Sequence, residues 1–452
     1  MILRRLFVVN SALYNCRYFS STAKPLKVQE PLIVNNVEYK RDGWTNLKPR
    51  IQSYLNRNIY LQDHHPLSIV RKKIVNHFYK SFISNRGNPL FSVADNLSPI
   101  VTLEQNFDSL LIPVDHVSRK KSDSFYLNCD HMLRAHCTAH QLDLLKSGLD
   151  NFLVIGDVYR RDQIDSSHFP VFHQVDAVRT IRRDKLFENH EGLEIFEPNY
   201  VPGSDSELLS ANDLRGKVAE AGKQPCHTLE AVKLAEHELK TVLVGLVKHL
   251  FGENIKYRWV DAYFPFTQPS FELEIWYNND WLEVLGAGIM RNEILEKGGI
   301  TNSIGWAFGI GLERLAMVLY NIPDIRLFWS TDSGFLCQFH ETKTTAEMQY
   351  KTVSKYNQCY MDVSFWLPDT YTLDNFPVNS FYALVRDIGG DLVEQVKIID
   401  KFFHPKEKKN SLCFRVIYRH MERDLTRDEV NVVHWQIRDE VEKEFNVTHR
   451  VI

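Results

Sequence analysis

Residues 156 to 178, GDVYRRDQIDSSHFPVFHQVDAV, place two arginines, two glutamines, two histidines and four aspartates between runs of strand-forming residues. Side chains along a strand point alternately to its two faces, so Val154, Val158, Arg160 and Asp162 share one face of the first run. Phe172, Gln174, Asp176 and Val178 share one face of the second. With SSHFP as the connection, the two runs pair as an antiparallel hairpin. Arg160, Asp162, Phe172, Gln174 and Asp176 then lie on one polar platform with a single aromatic ring. Polar side chains are costly to bury without partners, so such a platform marks a binding site.

The 452-residue chain is 44% hydrophobic, enough for two or three domains with a substantial core. Its formal net charge of −3 gives no global attraction to nucleic acid, so any such partner needs a local basic surface. Seven scattered cysteines contain no C-x-x-C pair and imply neither a zinc site nor a disulfide framework. No apolar run approaches the ~18 to 20 residues that cross a bilayer, so no membrane association is expected. The leader MILRRLFVVNSALYNCRYFSSTAKPLK is basic, carries clustered Ser/Thr and has no acidic residue before Glu30. That composition fits a mitochondrial transit peptide. Arg4 and Arg5 leave only LFVV before Asn10, too short for the apolar region of a secretory signal.

Periodicity divides the remainder. HHPLSIVRKKIVNHFYKSF repeats apolar residues at helical spacing (Leu67, Ile69, Val70, Ile74, Val75, Phe78 and Phe82). DHMLRAHCTAHQLDLLKSG reads as a second helix ended by Gly148. Residues 181–227 read as a polar insertion, and TLEAVKLAEHELKTVLVGLVKHLFG as a return to helix. FELEIWYNNDWLEVLGAG is a second hairpin around an Asn-Asn-Asp turn. From residue 355 the strands and helices follow the order βαββαβ, a ferredoxin-like unit. The expected organisation is α+β: a leader over 1–30, a main domain over 31–340, a linker over 341–354 and the C-terminal unit over 355–452.

WAFGIGLERLAMVLYNIPD adds a second chemical signal. Gly309 and Gly311 admit close backbone approach, while the helix stripe runs through Leu312, Leu315, Ala316 and Leu319. Arg314, off that stripe in the first turn, suits a polyphosphate. R-x-D at 160–162, the loop carrying His168, F-H-Q-x-D at 172–176 and G-x-G-x-E-R at 309–314 occur in that order. Together they resemble motifs 2 and 3 of class II aminoacyl-tRNA synthetases. NFDSLLIPVDHVSRKKSDSFYL, YFPFTQPSFELEIW, EVLGAG and IPDIRLFW are similar to segments of the phenylalanyl-tRNA synthetases. The tail from KYNQCYMDVSFWLP resembles the ferredoxin-fold anticodon-binding domain of their single-chain mitochondrial members, so the likeness spans about residue 30 to 452.

The resemblance implies a class II antiparallel sheet flanked by helices. It further implies attachment of L-phenylalanine to mitochondrial tRNA(Phe), with ATP as substrate and Mg²⁺ as cofactor, by a monomer in the mitochondrial matrix. Arg160 would contact the α-phosphate, Asp162 the adenine amino group and Phe172 the adenine face. Ser167, His168 and Phe169 would belong to the loop over the nucleotide, with His168 at the outer phosphates and Arg314 at the γ-phosphate. His136, Thr138, Ala139, His140 and Gln141 would line the amino-acid site, while Gln174, Val175 and Asp176 would contribute the ammonium-binding segment. Phe264 and Phe266 would face the phenyl ring, Ala287 would end the pocket, and Glu283 and Phe308 would lie near substrate, with Glu283 at the metal. Asp176 stands where the family more often has glutamate. Asp332-Ser333-Gly334-Phe335 departs from the usual acidic-x-Arg-Phe.

Other readings remain open at this level. A ligase of the same class acting on another amino acid or acceptor, or a non-catalytic tRNA-binding protein, would share much of this pattern. His131, His136 and His140 lack the completing carboxylate of a zinc motif. From Lys397 to Arg423 there are eight basic and three acidic residues. Lys397, Lys401, Lys406, Lys408, Lys409, Arg415 and Arg419 are therefore the candidate tRNA-binding set, against the alternative of a solvated charged face.

Overall fold

The computed structural model describes residues 30–188, 190, 192–201, 222–330, 333–340, 343–345, 347–351, 356–421 and 423–450. Residues 1–29 of the expected 1–30 leader, the centre of the 181–227 segment, much of the 341–354 linker and Asp332 lie outside the described residues. Seven strands form the main sheet: β1 (Ser92–Ala94), β2 (Asn151–Tyr159), β3 (Val171–Arg182), β4 (Tyr257–Phe264), β5 (Thr267–Tyr277), β6 (Asp280–Met290) and β7 (Ser303–Gly311). Their spatial order is β1-β2-β3-β7-β6-β5-β4. Only the β1–β2 pair is parallel.

Helices α1 (Pro66–Ser81), α2 (Leu229–Phe251) and α3 (Leu312–Tyr320) share one core with the apolar side chains of β2, β3, β5, β6 and β7. Local chemistry starts and stops them. Pro66 opens α1, where the His65 ring accepts from Leu67 N at 3.2 Å. The Thr228 hydroxyl accepts from Ala231 N at the start of α2, and Gly252, at φ 98°, ends it. The β5–β6 hairpin turns through Asn278 and Asn279 at φ 50° and 63°, the left-handed pair that a tight two-residue turn requires.

The C-terminal unit has β8 (Cys359–Trp366), α4 (Val378–Gly389), β9 (Val393–His404), β10 (Lys409–Tyr418), α5 (Arg427–Phe445) and β11 (Thr448–His449). Its sheet order is β9-β10-β8-β11, all antiparallel. Leu412, Phe414 and Val416 face α4 and α5 through a shared core containing Phe381, Val385, Ile437 and Val441.

Two sequence expectations need correction. Residues 130–148 are mostly not a helix: His131–Leu133 is a strand, Cys137–His140 a 3-10 turn, and only Gln141–Lys146 is α-helical before Gly148. Met132, Leu133, Ala135, Cys137 and Ala139 are all buried, so tertiary packing overrides the local helical pattern. Residues 181–227 are also more than a surface excursion. Ile181 and Arg182 finish β3 opposite Ile304 and Ser303. Buried Gln224 donates to Gln268 O and Met290 O and accepts from Asn292 N.

Candidate active site

On the face of the main sheet away from α1–α3 lies a cavity of about 760 Å³. Strand register explains its lining. Cα partners face the same way, and Val154 pairs with Asp176, Gly156 with Gln174, and Val158 with Phe172. The even positions thus form the platform that alternation predicts. The strands stop at Tyr159 and resume at Val171, so the connection is 160–170, longer than SSHFP, and Arg160 and Asp162 lie within it.

Arg160 Nε donates to Ala135 O at 2.7 Å, and its guanidinium carbon lies 5.2 Å from the Phe172 ring centre. Burial pulls its pKa down, with Asp162, Asp176, Cys137 and Glu283 opposing the shift. The loop is shaped by Asp165, whose Oδ1 accepts from Ser167 N at 2.7 Å and His168 N at 2.8 Å. Its Oδ2 lies 2.7 Å from His168 Nδ1. Burial would raise the Asp165 pKa, but hydrogen bonds from His168 and Ser167 outweigh it and hold the carboxyl at about 2. The same bond to Asp165 raises the His168 pKa against burial.

Asp176 is buried, with Thr138 Oγ1 donating to its Oδ2 at 2.5 Å. Burial raises its pKa to about 6, against the lowering effects of Thr138 and Arg160. Asp176 Oδ1, Gln174 Oε1 and the side-chain amide of Gln141 are buried without a hydrogen-bond partner among the described residues. Polar atoms left so in a cavity point to a polar ligand. Burial and the neighbouring Arg160 pull the His136 pKa to about 3, so this ring is neutral. Phe264 and Phe266 stand 6.0 Å apart with planes 13° apart. Gly286 leaves room for them, since a Cβ there would lie 2.7 Å from the Phe264 ring.

Arg314, in the first turn of α3, donates to Glu283 O at 2.9 Å and lies 3.4 Å from its carboxylate. Next to it, buried Glu313 accepts from His173 N at 2.8 Å and lies 2.6 Å from His173 Nδ1. This pair binds β3 to the start of α3 immediately behind Phe172 and Arg314. His173 and Glu313 sit inside the two quoted motifs, but nothing in their spacing marks them as partners. Glu272 lies opposite Gly286 across β5 and β6, and burial raises its pKa together with Glu283 and Glu274.

The cavity gathers Arg160, Asp162, His136, Thr138, Gln141, Gln174, Asp176, Phe264, Phe266 and Glu283 in its lining. Several expected contacts lie elsewhere. Phe169 is buried between Tyr54 and Trp329, with ring centres at 5.5 and 5.7 Å. Ala139 packs in a core with Phe107, Leu110 and Met132, and Val175 faces the helix-side core. His140 Nε2 contacts buried Arg134 at 3.0 Å, which also bonds Asp157 at 2.8 Å. Ala287 and Phe308 border the cavity, but they pair with each other and their side chains belong to the helix-side core. The small residue on the cavity face is Ala307, paired with Val178 and packed in the cluster that Phe266 touches. The shift has a physical cause: a bulge between Glu283 and Leu285 reverses the alternation along β6.

Comparison with known proteins agrees with this geometry. Residues 52–193 and 229–339 match the tRNA synthetases class II core domain (F), and residues 354–450 match the ferredoxin-fold anticodon binding domain. Fold and site thus define a class II aminoacyl-tRNA synthetase. The probable phenylalanine–tRNA ligase, mitochondrial, of Drosophila melanogaster is 58% identical over 97% of this chain and 97% of its own. The mitochondrial phenylalanine–tRNA ligase of Mus musculus is 51% identical over 89% and 85%, and that of Saccharomyces cerevisiae 35% identical over all of both chains. The chain belongs to the mitochondrial phenylalanine–tRNA ligase family.

Proposed function

We propose that this chain attaches L-phenylalanine to mitochondrial tRNA(Phe) in two steps, as a monomer in the mitochondrial matrix. Gln174 and Asp176 receive the ammonium group, and the phenyl ring lies against Phe264 and Phe266 over a floor that includes Ala307. The amino-acid carboxylate is thereby turned toward the ATP α-phosphate. Attack forms the carboxyl–phosphate bond and expels diphosphate. Two anions must meet in this step, so its main demands are charge neutralisation and alignment. Arg160 supplies positive charge at the α-phosphate, His168 from the loop and Arg314 at the outer phosphates. Arg314 must exchange its contact with Glu283 for the nucleotide. Glu283 and Glu272, whose carboxylates crowd the cavity rim, fit a hard cation, and Mg²⁺ held there would neutralise phosphate charge.

In the second step the 2′-hydroxyl of the terminal tRNA ribose attacks the acyl carbon and AMP leaves. No side-chain nucleophile takes part. Rejection of tyrosine rests on the apolar floor. Phe152, Val154, Val178 and Ala307 offer a para-hydroxyl no side-chain acceptor. A hydrophobic pocket alone discriminates against an added hydroxyl by only about a hundredfold.

The C-terminal unit supplies the surface for tRNA. On its sheet face away from α4 and α5, Trp366 and Phe402 lie 6.3 Å apart, with the Arg450 guanidinium carbon 5.5 and 5.1 Å from their ring centres. Unpaired bases stack on such platforms. Lys397 and Arg415 share this face by register, although Arg415 forms a two-pronged ion pair with Asp362. Arg419 is paired with Glu394. Lys401 lies opposite core-facing Leu412 on the edge strand, and Lys406, Lys408 and Lys409 are exposed around the β9–β10 turn. Lys409 lies 3.7 Å from Glu407, so the exposed basic charge rests chiefly on Lys397, Lys401, Lys406 and Lys408.

The observation that carries this reading is the buried, partnerless Gln174 Oε1 and Asp176 Oδ1 beside an aromatic cavity reached by Arg160. Amino-acid-dependent pyrophosphate exchange, followed by tRNA charging, tests it. Phenylalanine should support both reactions. Exchange with another amino acid, or exchange without charging, would favour a different ligase, and absence of exchange a non-catalytic tRNA binder.

A further inference from the structure

The 160–170 loop is held from two sides. Asp165 fixes its second half through Ser167 and His168. In the first half, Arg161 N donates to Asp123 O of the main domain at 2.9 Å, while the next three carbonyls accept from the C-terminal unit: Arg386 Nη1 donates to Asp162 O at 3.2 Å, Arg386 Nη2 to Gln163 O at 2.9 Å, and Val396 N to Ile164 O at 3.0 Å. Three consecutive carbonyls of the nucleotide loop are thus bonded to a module more than two hundred residues later in the chain. The Ile164 side chain is only 4% exposed and packs within the C-terminal core, whose members include Val385, Val393 and Val396. Arg386 is itself 6% exposed. Arg160 and Asp162 precede this attachment in the loop, and His168 follows it.

We propose that the C-terminal module is part of the nucleotide site, with Arg386 and the pocket for Ile164 positioning the 160–170 loop to receive ATP. This assignment rests on the ligase reading given above. The loop crosses the gap between β2 and β3 as irregular backbone, and its apex lacks a secondary-structure ladder of its own. The module supplies such bonds at residues 162–164, and Ile325 N of the main domain donates to Ser166 O at 2.8 Å. Amino-acid binding uses Gln174 and Asp176 on β3 and the rings of Phe264 and Phe266 at the β4–β5 turn, none of them bonded to the C-terminal module, so it should be insensitive to the attachment. Linkage makes the effect reciprocal: if docking aids ATP, ATP must strengthen docking by the same factor.

Full-length wild type, Arg386→Ala, Arg386→Lys and Ile164→Ala are compared in phenylalanine-dependent pyrophosphate exchange. Arg386→Ala should raise the KM for ATP at least tenfold, with the phenylalanine KM within twofold. Lysine at 386, able to satisfy one carbonyl, should fall between, and Ile164→Ala should move the same constant in the same direction. General destabilisation would instead reduce active enzyme or shift both KM values together. Unchanged ATP KM in both alanine variants, or equal changes in the two KM values, would overturn the proposal. Hydrogen exchange at the Val396 amide provides a separate test: a non-hydrolysable ATP analogue should slow it in wild type but not in Arg386→Ala. If wild type shows no phenylalanine-dependent exchange, the ligase reading fails. Protection of Val396 by the analogue then still decides the coupling, and its absence overturns it.

Discussion

The two sheets of this molecule handle polarity in opposite ways. The main sheet buries Gln174 and Asp176 with partnerless oxygens inside a cavity. The C-terminal sheet keeps its lysines in solvent and neutralises its arginines with Asp362 and Glu394. A small ligand can repay buried polar atoms because it reaches each of them at close range. An RNA backbone is better met by solvated cations and open ring faces, where no one contact is obligatory. The first surface should therefore fail sharply when a single group is removed, and the second gradually.

The largest effect expected is at Arg160. Arg160→Ala should slow phenylalanine-dependent pyrophosphate exchange by roughly 100- to 1,000-fold, the range for losing a charge-stabilising group. Near-normal exchange would remove Arg160 from the chemistry.

Asp176→Asn should raise the phenylalanine KM about a hundredfold, because the ammonium loses its charged partner. Burial raises the Asp176 pKa to about 6, so the carboxylate is charged above that pH and protonated below it. Phenylalanine binding should weaken as pH falls through about 6 in wild type, while this component vanishes in the asparagine variant. The folded-state pKa is above the unfolded value, so this group's stabilising contribution is present below about 4 and is lost as pH rises through about 6. Asp176→Asn should consequently raise Tm at neutral pH. A calorimetric scan showing a lower Tm would contradict a desolvation cost at this carboxylate.

At the cavity floor, Ala307→Gly should reduce discrimination against para-substituted phenylalanines by about 10- to 100-fold, whereas Ala287→Gly should leave it unchanged. Ratios of kcat/KM in exchange assays measure this difference. Loss of discrimination at 287 instead would reject the register given above. The smallest effect belongs to the open sheet: Phe402→Ala should weaken tRNA binding about tenfold, the scale of one base–ring stack, without altering pyrophosphate exchange. Unchanged tRNA affinity would move the RNA contact off this face.

Much of this frame is legible in residue periodicity. The α1 and α2 stripes, both hairpins and the βαββαβ order all appear in the sequence, and alternation alone places Gln174 and Asp176 on one face. The limits have local physical causes. The family resemblance places Ala287 at the end of the pocket, but a bulge after Glu283, which leaves no compositional mark, turns its side chain to the helix side and leaves Ala307 on the cavity face. Strict alternation in β3 would already have turned Val175 away from the cavity. Residues 130–136 carry helix-like spacing, yet their extended path delivers His136 to the cavity while burying Met132 and Leu133. The tie from Arg386 to the 160–170 loop leaves no mark in the sequence because its acceptors are carbonyls, which every residue carries.

That choice of acceptor recurs across the joint. Arg326 reaches Asp391 O at 3.1 Å and Arg419 O at 3.3 Å, while Arg386 reaches the opposite way to Asp162 O and Gln163 O. Each side thus contributes a guanidinium that reads the path of the other's chain and ignores its lettering. These bonds survive changes of side chain at the four acceptor positions, provided the backbone keeps its course, whereas a side chain with fewer forked donors at 326 or 386 can keep only part of them.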